Sequence, residues 1–237
     1  MNTKIFNRLN QMVKDSPQLL LNDNALKQAI NGEFCVNLDN CHFLNHNTDV
    51  DFVHLVQQID EAVMKRYFSE VWQPITKKYK YSGLSIIDEV NALNPENVLD
   101  VGCGYNEFKG KIQNLTGIDP YNKRADITSH TLDYETHIKY DVIISLGSIN
   151  FGSTDKIIRE LQKIVHLTKQ DGILIFRANP GIQHEAQESK WIDFFDWNPS
   201  FIMNVAQSLN CDVVQLRRDI PEKALNGERF YFVFRKN

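Results

Sequence analysis

The sequence predicts an α/β fold: a doubly wound, mostly parallel sheet with an antiparallel strand at its C-terminal end, preceded by a helical N-terminal region. Three observations carry this. From about residue 84 onward, short apolar strands alternate with helical patterns, as in a parallel sheet wrapped by helices. Residues 1 to about 80 show helices and loops but no strand pattern. The last two strand patterns, near Asp212–Arg217 and Arg229–Phe234, have no helix between them, so antiparallel pairing is the simplest arrangement.

The elements follow in order. In the N-terminal region the clearest helix begins near Thr48, where Thr48 and Asp51 resemble a capping box. Phe52, Leu55, Val56, Ile59, Val63 and Tyr67 then fall on one face at helical spacing, a packing stripe. A helix over Ser85–Leu93 stops before Asn94-Pro95, because the residue before a proline is pushed out of the helical region. Strands are expected at Val98–Val101, Thr116–Asp119 and Tyr140–Leu146. Thr154 to Thr168 reads as a helix burying Ile157, Leu161, Ile164 and Val165. Asp171-Gly172 turns the chain into a strand over Gly172–Ala178. Asn198-Pro199 opens a last helix, to about Leu209, as an N-cap with proline at the first helical position. The final two strands are joined by a loop containing Asn226-Gly227.

Bulk properties exclude several function classes. The chain has 237 residues, 42% hydrophobic, and a net charge of −4, which gives no global reason for nucleic-acid binding. The scattered Cys35, Cys41, Cys103 and Cys211 contain no C-x-x-C pair and indicate reduced thiols rather than a disulfide framework. The first fifteen residues carry basic side chains but no apolar core of a secretory signal, and read as a surface helix rather than a targeting one. No apolar run approaches the ~18 residues that span a bilayer. A soluble, cytoplasmic protein is expected.

The chemistry concentrates in one stretch, Val98 to Pro120. A strand followed by Gly102-x-Gly104 brings backbone N–H groups close to whatever lies at the strand end. Asp100 precedes the first glycine, and Asp119 ends the next strand, where a carboxylate can take both hydroxyls of a ribose. A nicotinamide dinucleotide brings a pyrophosphate, which wants a helix N-terminus and no nearby anions. Here Asp100 and Glu107 flank the turn, and the third glycine of a dinucleotide fingerprint is absent. S-adenosylmethionine has no phosphate and presents an ammonium and a sulfonium, so electrostatics favours it. Asn106, where a glycine is usual, tolerates a left-handed backbone. The short insert between Gly104 and Asp119 implies an open adenine side.

The stretch VLDVGCG resembles the first motif of the class I S-adenosylmethionine-dependent methyltransferases, a Rossmann-like superfamily. Gly117-Ile118-Asp119 is similar to its ribose-binding strand end, and Ala125-Asp126-Ile127 to the segment whose acid and following N–H read adenine. Tyr140–Ser145 and Asp171–Phe176 resemble its fourth and fifth strands. The resemblance covers about residues 84 to 237. It implies a seven-stranded sheet and S-adenosylmethionine held by Asp100, Gly102, Cys103, Gly104, Asp119, Pro120, Asp126, Ile127, Leu146 and Gly147. It also implies a domain at 83–237, with residues 1–82 as a helical lid on the substrate side.

The acceptor is less defined. Leu146 to Phe151 should lie beside the reactive methyl but lack the Asn/Asp-Pro-Pro-aromatic motif that holds an exocyclic base nitrogen. No Pro-Cys nucleophile is present either, which disfavours DNA-base methylation. Asn150, Arg177 and His184 are the candidates for a role at the acceptor: Arg177 for binding a carboxylate or phosphate, His184 as a base. The more ordinary readings are a strand-end ion pair for Arg177 and an exposed loop histidine for His184. Cys35, Cys41, His42 and His46 superficially resemble metal ligands, but the spacing is awkward for a compact tetrahedral site and no metal is expected. Lys77–Tyr81 interleaves bases with aromatics, able to contact RNA or close over the cofactor, though a solvated helix end is the commoner reading. The expectation is methyl transfer to a small molecule, with an RNA or protein acceptor and a non-catalytic cofactor-binding module as alternatives.

Overall fold

The computed structural model describes residues 1–15, 24–38, 52–72, 84–181, 187–219 and 229–237. His184, Lys77–Tyr81, Cys41, His42, His46, the Thr48–Asp51 cap and the Asn226-Gly227 loop lie outside the described residues. The chain divides into two compact units, Met1–Trp72 with Gln183–Asp193, and Gln73–Ile182 with Phe194–Asn237.

The first unit is helical. Helix α1 (Thr3–Asp15) buries Ile5 and Leu9, and α2 (Asn24–Phe34) buries Leu26, Ile30 and Phe34. Asn2 starts α1 by accepting hydrogen bonds from the Lys4 and Ile5 amides at 3.1 and 3.2 Å. Helix α3 (Phe52–Arg66) buries Leu55, Val56, Ile59 and Val63, the stripe that its sequence spacing predicts. It widens into a π-turn, Tyr67–Val71, where the Trp72 amide donates to the Tyr67 carbonyl at 2.7 Å. Trp191 packs on Phe34 with ring centroids 4.6 Å apart, and its indole N–H donates to the Glu33 carbonyl at 3.1 Å.

The second unit holds the sheet. Helix α4 (Ile86–Ala92) leads into β1 (Val98–Val101) and β2 (Leu115–Ile118), followed by β3 (Tyr140–Leu146) and α5 (Thr154–Leu167). Then come β4 (Thr168–Ala178), α6 (Pro199–Ser208), β5 (Cys211–Asp219) and β6 (Arg229–Lys236). The strand order is β2-β1-β3-β4-β6-β5. Neighbours pair in parallel as far as β4, and β6 runs antiparallel to both β4 and β5.

Period-two alternation divides the strands between two cores. Leu99, Val101, Ile143, Leu174, Phe176, Phe232 and Phe234 face α5 and α6. Val98, Val142, Ile144, Ile175, Tyr231 and Val233 face α4. Asn198 caps α6 through the Phe201 amide, with Pro199 at the first helical position, as the sequence predicts, and Ser153 caps α5 through the Lys156 amide.

The structure corrects the sequence expectations in three places. The sheet has six strands among the described residues, not seven. Where a further strand would flank β2, a single Ile118–Ile127 bridge stands, because residues 119–139 contain no apolar run to form a strand. No helix connects β1 to β2; residues 102–114 cross over in turns. Gly102, Gly104, Asn106, Gly110 and Asn114 all have φ between 54° and 77° there, which no right-handed helix accommodates. Finally, β4 starts at Thr168, directly after α5, and passes Asp171 (φ 60°) as an irregularity within the strand rather than a turn before it.

Candidate functional site

The sequence-predicted residues lie at the C-terminal ends of β1, β2 and β3, the edge where open parallel sheets bind ligands. Asp100 faces the α4 side of β1, opposite Gly117 of β2, and is 3% exposed. Burial, and secondarily the nearby Asp119 carboxylate, pushes its carboxyl up to about 8. Among the described residues, the charged influence on this buried acid is a second acid, an arrangement suited to a cation.

The glycine turn spends most of its amides internally. The Gly102 and Cys103 N–H groups both donate to the Ile118 carbonyl, at 2.8 and 3.0 Å, which ties the ends of β1 and β2 together. The Gly104 amide donates to Asp119 Oδ2 at 3.0 Å. Asp119 Oδ1 accepts from the Tyr121 and Asn122 amides, both at 2.8 Å. One oxygen of Asp119 thus builds the following turn, and the other retains room for a further donor. Asn106 has φ 57°, the left-handed conformation that its tolerance allows. Its side chain donates to the Arg124 carbonyl at 3.1 Å.

The loop after β3 presses on this turn. A Cβ added to Gly102 would sit 2.1 Å from Ser148 Cβ, whereas one added to Gly104 would meet nothing within 4 Å. Ser148 donates to the Val101 carbonyl and shares a 2.7 Å hydrogen bond with Ser145. Gly102 is thus required for the close approach of two loops, and Gly104 borders open space. Cys103 is buried, and desolvation, with the Asp100, Asp119 and Asp126 carboxylates, raises its thiol, so it is a packed wall rather than a nucleophile.

Asp126 Oδ2 accepts from the Gly117 amide (2.8 Å), Lys109 Nζ (2.8 Å) and Asn106 Nδ2 (3.4 Å). The Ile127 amide donates to the Gly117 carbonyl at 3.2 Å. What Ile127 leaves exposed is its apolar side chain. Pro120, Leu146 and Gly147 are each half-buried at the same edge.

Of the acceptor-side candidates, Asn150 is 1% exposed and fully engaged. It donates to the Gly147 carbonyl at 2.9 Å, accepts from the Asn179 amide at 3.1 Å, and its carbonyl accepts from the Phe195 amide at 2.8 Å. It therefore joins three loops. Arg177 is buried near the end of β4, in register with Leu146 on one side and Tyr231 on the other. Tyr231 donates to Glu89 at 2.6 Å and carries the Arg217 guanidinium 4.2 Å from its ring centroid. Sequence reasoning missed Lys109, Ser148, Tyr231 and Arg217. Alternation could have placed Arg177 and Tyr231 on the face of Ile175 and Val233, but their pairing needed the strand register.

Solved structures decide what this architecture is. The chain matches the N-methyltransferase NodS from Bradyrhizobium japonicum in complex with S-adenosylhomocysteine at 13% identity, covering 75% of this chain and 97% of that one, with a TM-score of 0.57. It matches 1,6-didemethyltoxoflavin-N1-methyltransferase from Burkholderia thailandensis at 14% identity, covering 81% and 93%, with a TM-score of 0.60. For magnesium protoporphyrin IX methyltransferase from Synechocystis the values are 11%, 81% and 100%, with a TM-score of 0.54. The fold is that of the class I methyltransferases. No protein-family model matches the sequence, and no curated protein matches it. Within this fold, turns replace the crossovers on both sides of β2, and one bridge replaces a strand beside it.

Proposed function

We propose that the protein transfers a methyl group from S-adenosylmethionine to a small-molecule acceptor, with residues 83–237 as the cofactor-binding domain. The observation that carries this reading is the buried, cation-seeking Asp100 carboxyl beneath a glycine turn that opens at Gly104. The residues fit the cofactor. Asp100 would neutralise its ammonium, and the free side of Asp119 Oδ2 would take a ribose hydroxyl. Pro120 and the Ile127 side chain would supply apolar surface for adenine, and Leu146-Gly147 would border the reacting methyl. When bound, S-adenosylmethionine supplies an activated methyl on a sulfonium. The protein's part is alignment and exclusion of water, with a base required only if the acceptor must lose a proton. The small-molecule preference is supported by the acidic net charge and by two neighbours that act on 1,6-didemethyltoxoflavin and magnesium protoporphyrin IX.

Calorimetric titration with S-adenosylmethionine and S-adenosylhomocysteine tests the cofactor, and radiolabelled methyl transfer to acceptor panels tests catalysis. Asp119→Ala should weaken binding by about 30-fold or more, since it removes a charge-assisted contact and the anchor of the Gly104 amide. Unchanged affinity in that variant would refute the ribose assignment. Absence of millimolar binding to either ligand would refute the function.

A further inference from the structure

We infer that Asp126 is a positioning residue for the cofactor turn and does not read adenine; this rests on the cofactor assignment above. Strand β2 lies at the edge of the sheet. In a sheet, the outer edge of β2 would spend its N–H and C=O groups on a neighbouring strand. Here two side chains take over part of that task. Lys109 Nζ donates to the Leu115 carbonyl at 2.7 Å, and Asp126 Oδ2 accepts from the Gly117 amide at 2.8 Å. Lys109 and Asp126 also pair with each other at 2.8 Å, closing a clip along the strand edge.

The clip holds the turn as well as the edge. Lys109 belongs to the crossover that replaces the helix between β1 and β2, and so does Asn106, which donates to the same Asp126 oxygen and to the Arg124 carbonyl. Asn106 holds the left-handed position two residues after Gly104, the glycine that borders the open space. One carboxylate oxygen therefore gathers the strand edge (Gly117), the crossover (Lys109) and the glycine turn (Asn106). Burial works to raise the Asp126 carboxyl, but Lys109, the Gly117 amide and Asn106 together hold it below its ordinary value, so it is an anion at neutral pH whose Oδ2 is committed to these partners.

Adenine recognition through this segment would need two groups, and the ladder uses the other one. The Ile127 amide donates to Gly117, and the Ile127 carbonyl accepts from Asp119, as a one-residue strand would arrange them. Asp126 Oδ2 is spent on its three donors and the Ile127 N–H on the ladder, which leaves Asp126 Oδ1 without the N–H that a paired contact to a base edge needs. Adenine is then held chiefly by apolar contact with Ile127 and the Pro120 surface.

A ligand-pair experiment separates the two roles. The full chain is titrated calorimetrically with S-adenosylhomocysteine and with its analogue carrying purine in place of adenine, which lacks only the 6-amino group. The wild type, Asp126→Asn, Asp126→Ala and Lys109→Met are compared. A hydrogen bond from that amino group to Asp126 would be worth about 10- to 150-fold; Asp126→Ala would remove the preference, and Asp126→Asn, whose oxygen accepts without charge, would cut it sharply. The positioning role predicts instead that every variant loses affinity for both ligands equally, on the order of tenfold. The ratio between the two ligands should stay within about threefold of the wild-type ratio, and the Lys109 and Asp126 losses should be non-additive when combined. A ratio that collapses in Asp126→Asn, or a Lys109→Met variant of wild-type affinity, would overturn the inference. Should Asp126→Ala fail to fold, Asp126→Asn and Lys109→Met still decide it. Failure of the cofactor assignment is separate: the wild type would then bind neither ligand.

Discussion

Cofactor binding should expel a proton from Asp100. In the free protein, burial and the Asp119 charge push this carboxyl up to about 8, so at pH 7 it is about 90% protonated. An ammonium seated against it restores the ordinary carboxylate preference and drives the proton off. The ligand's own amino group, with a pKa near 8, takes back about a tenth of a proton at pH 7. The net expectation is about 0.8 proton released per ligand at pH 7, crossing zero near pH 8 and turning into about 0.8 proton taken up at pH 9. The assay is calorimetric titration with S-adenosylhomocysteine in buffers of different ionisation enthalpy, whose slope gives the proton count directly. A slope indistinguishable from zero at pH 7, with binding intact, would refute the reasoning. Asp100→Asn should abolish the proton release. Because the folded-state value is raised, the free native protein binds the proton more tightly than the unfolded chain. Its stability should therefore fall as pH rises from about 4 to about 8, by about 1 kcal/mol per pH unit from this group. Chemical denaturation of wild type and Asp100→Asn across that window measures it.

Two further outcomes follow from the glycine turn and the core. Gly102→Ala should cost about 2–4 kcal/mol, because its Cβ would meet Ser148 Cβ at 2.1 Å and its φ is 70°. Gly104→Ala should lose only about 1–2 kcal/mol of stability but more of its ligand affinity; differential scanning calorimetry and titration would fail the argument if the two variants behaved alike. Tyr134 and Tyr140 share a 2.7 Å hydrogen bond in the core, so Tyr140→Phe should cost about 1–2 kcal/mol and the double Phe variant little more, as urea denaturation would show.

Much of this fold is legible in local sequence because its signals are local. Val98–Val101 and Tyr140–Leu146 announce themselves as apolar runs, and Ser153, Asn198 and Pro199 mark helix starts through their own capping chemistry. The left-handed Asn106 follows from residue type as well. The failures involve partners far apart in sequence. Nothing in the spacing of Lys109, Leu115, Gly117 and Asp126 states that one side-chain pair will seal a strand edge, since that depends on two crossovers both being non-helical. Asn150 looked like a residue free for chemistry. Its amide is consumed by Gly147 and Asn179, the second of which lies 29 residues away and reaches it only through the register of β3 and β4.

A sheet that ends in a lysine and an aspartate, instead of a last strand, has an edge whose protection is titratable. The Asp126 carboxyl is held below its ordinary range, so its contribution is present at neutral pH and is lost as pH falls through that lowered value. Protonation would loosen its grip on Lys109 and on the Gly117 amide, and the unpaired edge of Leu115–Ile118 would then face solvent as a template for another chain. Acid below the ordinary carboxylate range should thus favour self-association through this edge. If they shape the cofactor turn, the same two side chains would also guard this edge against pairing with another chain.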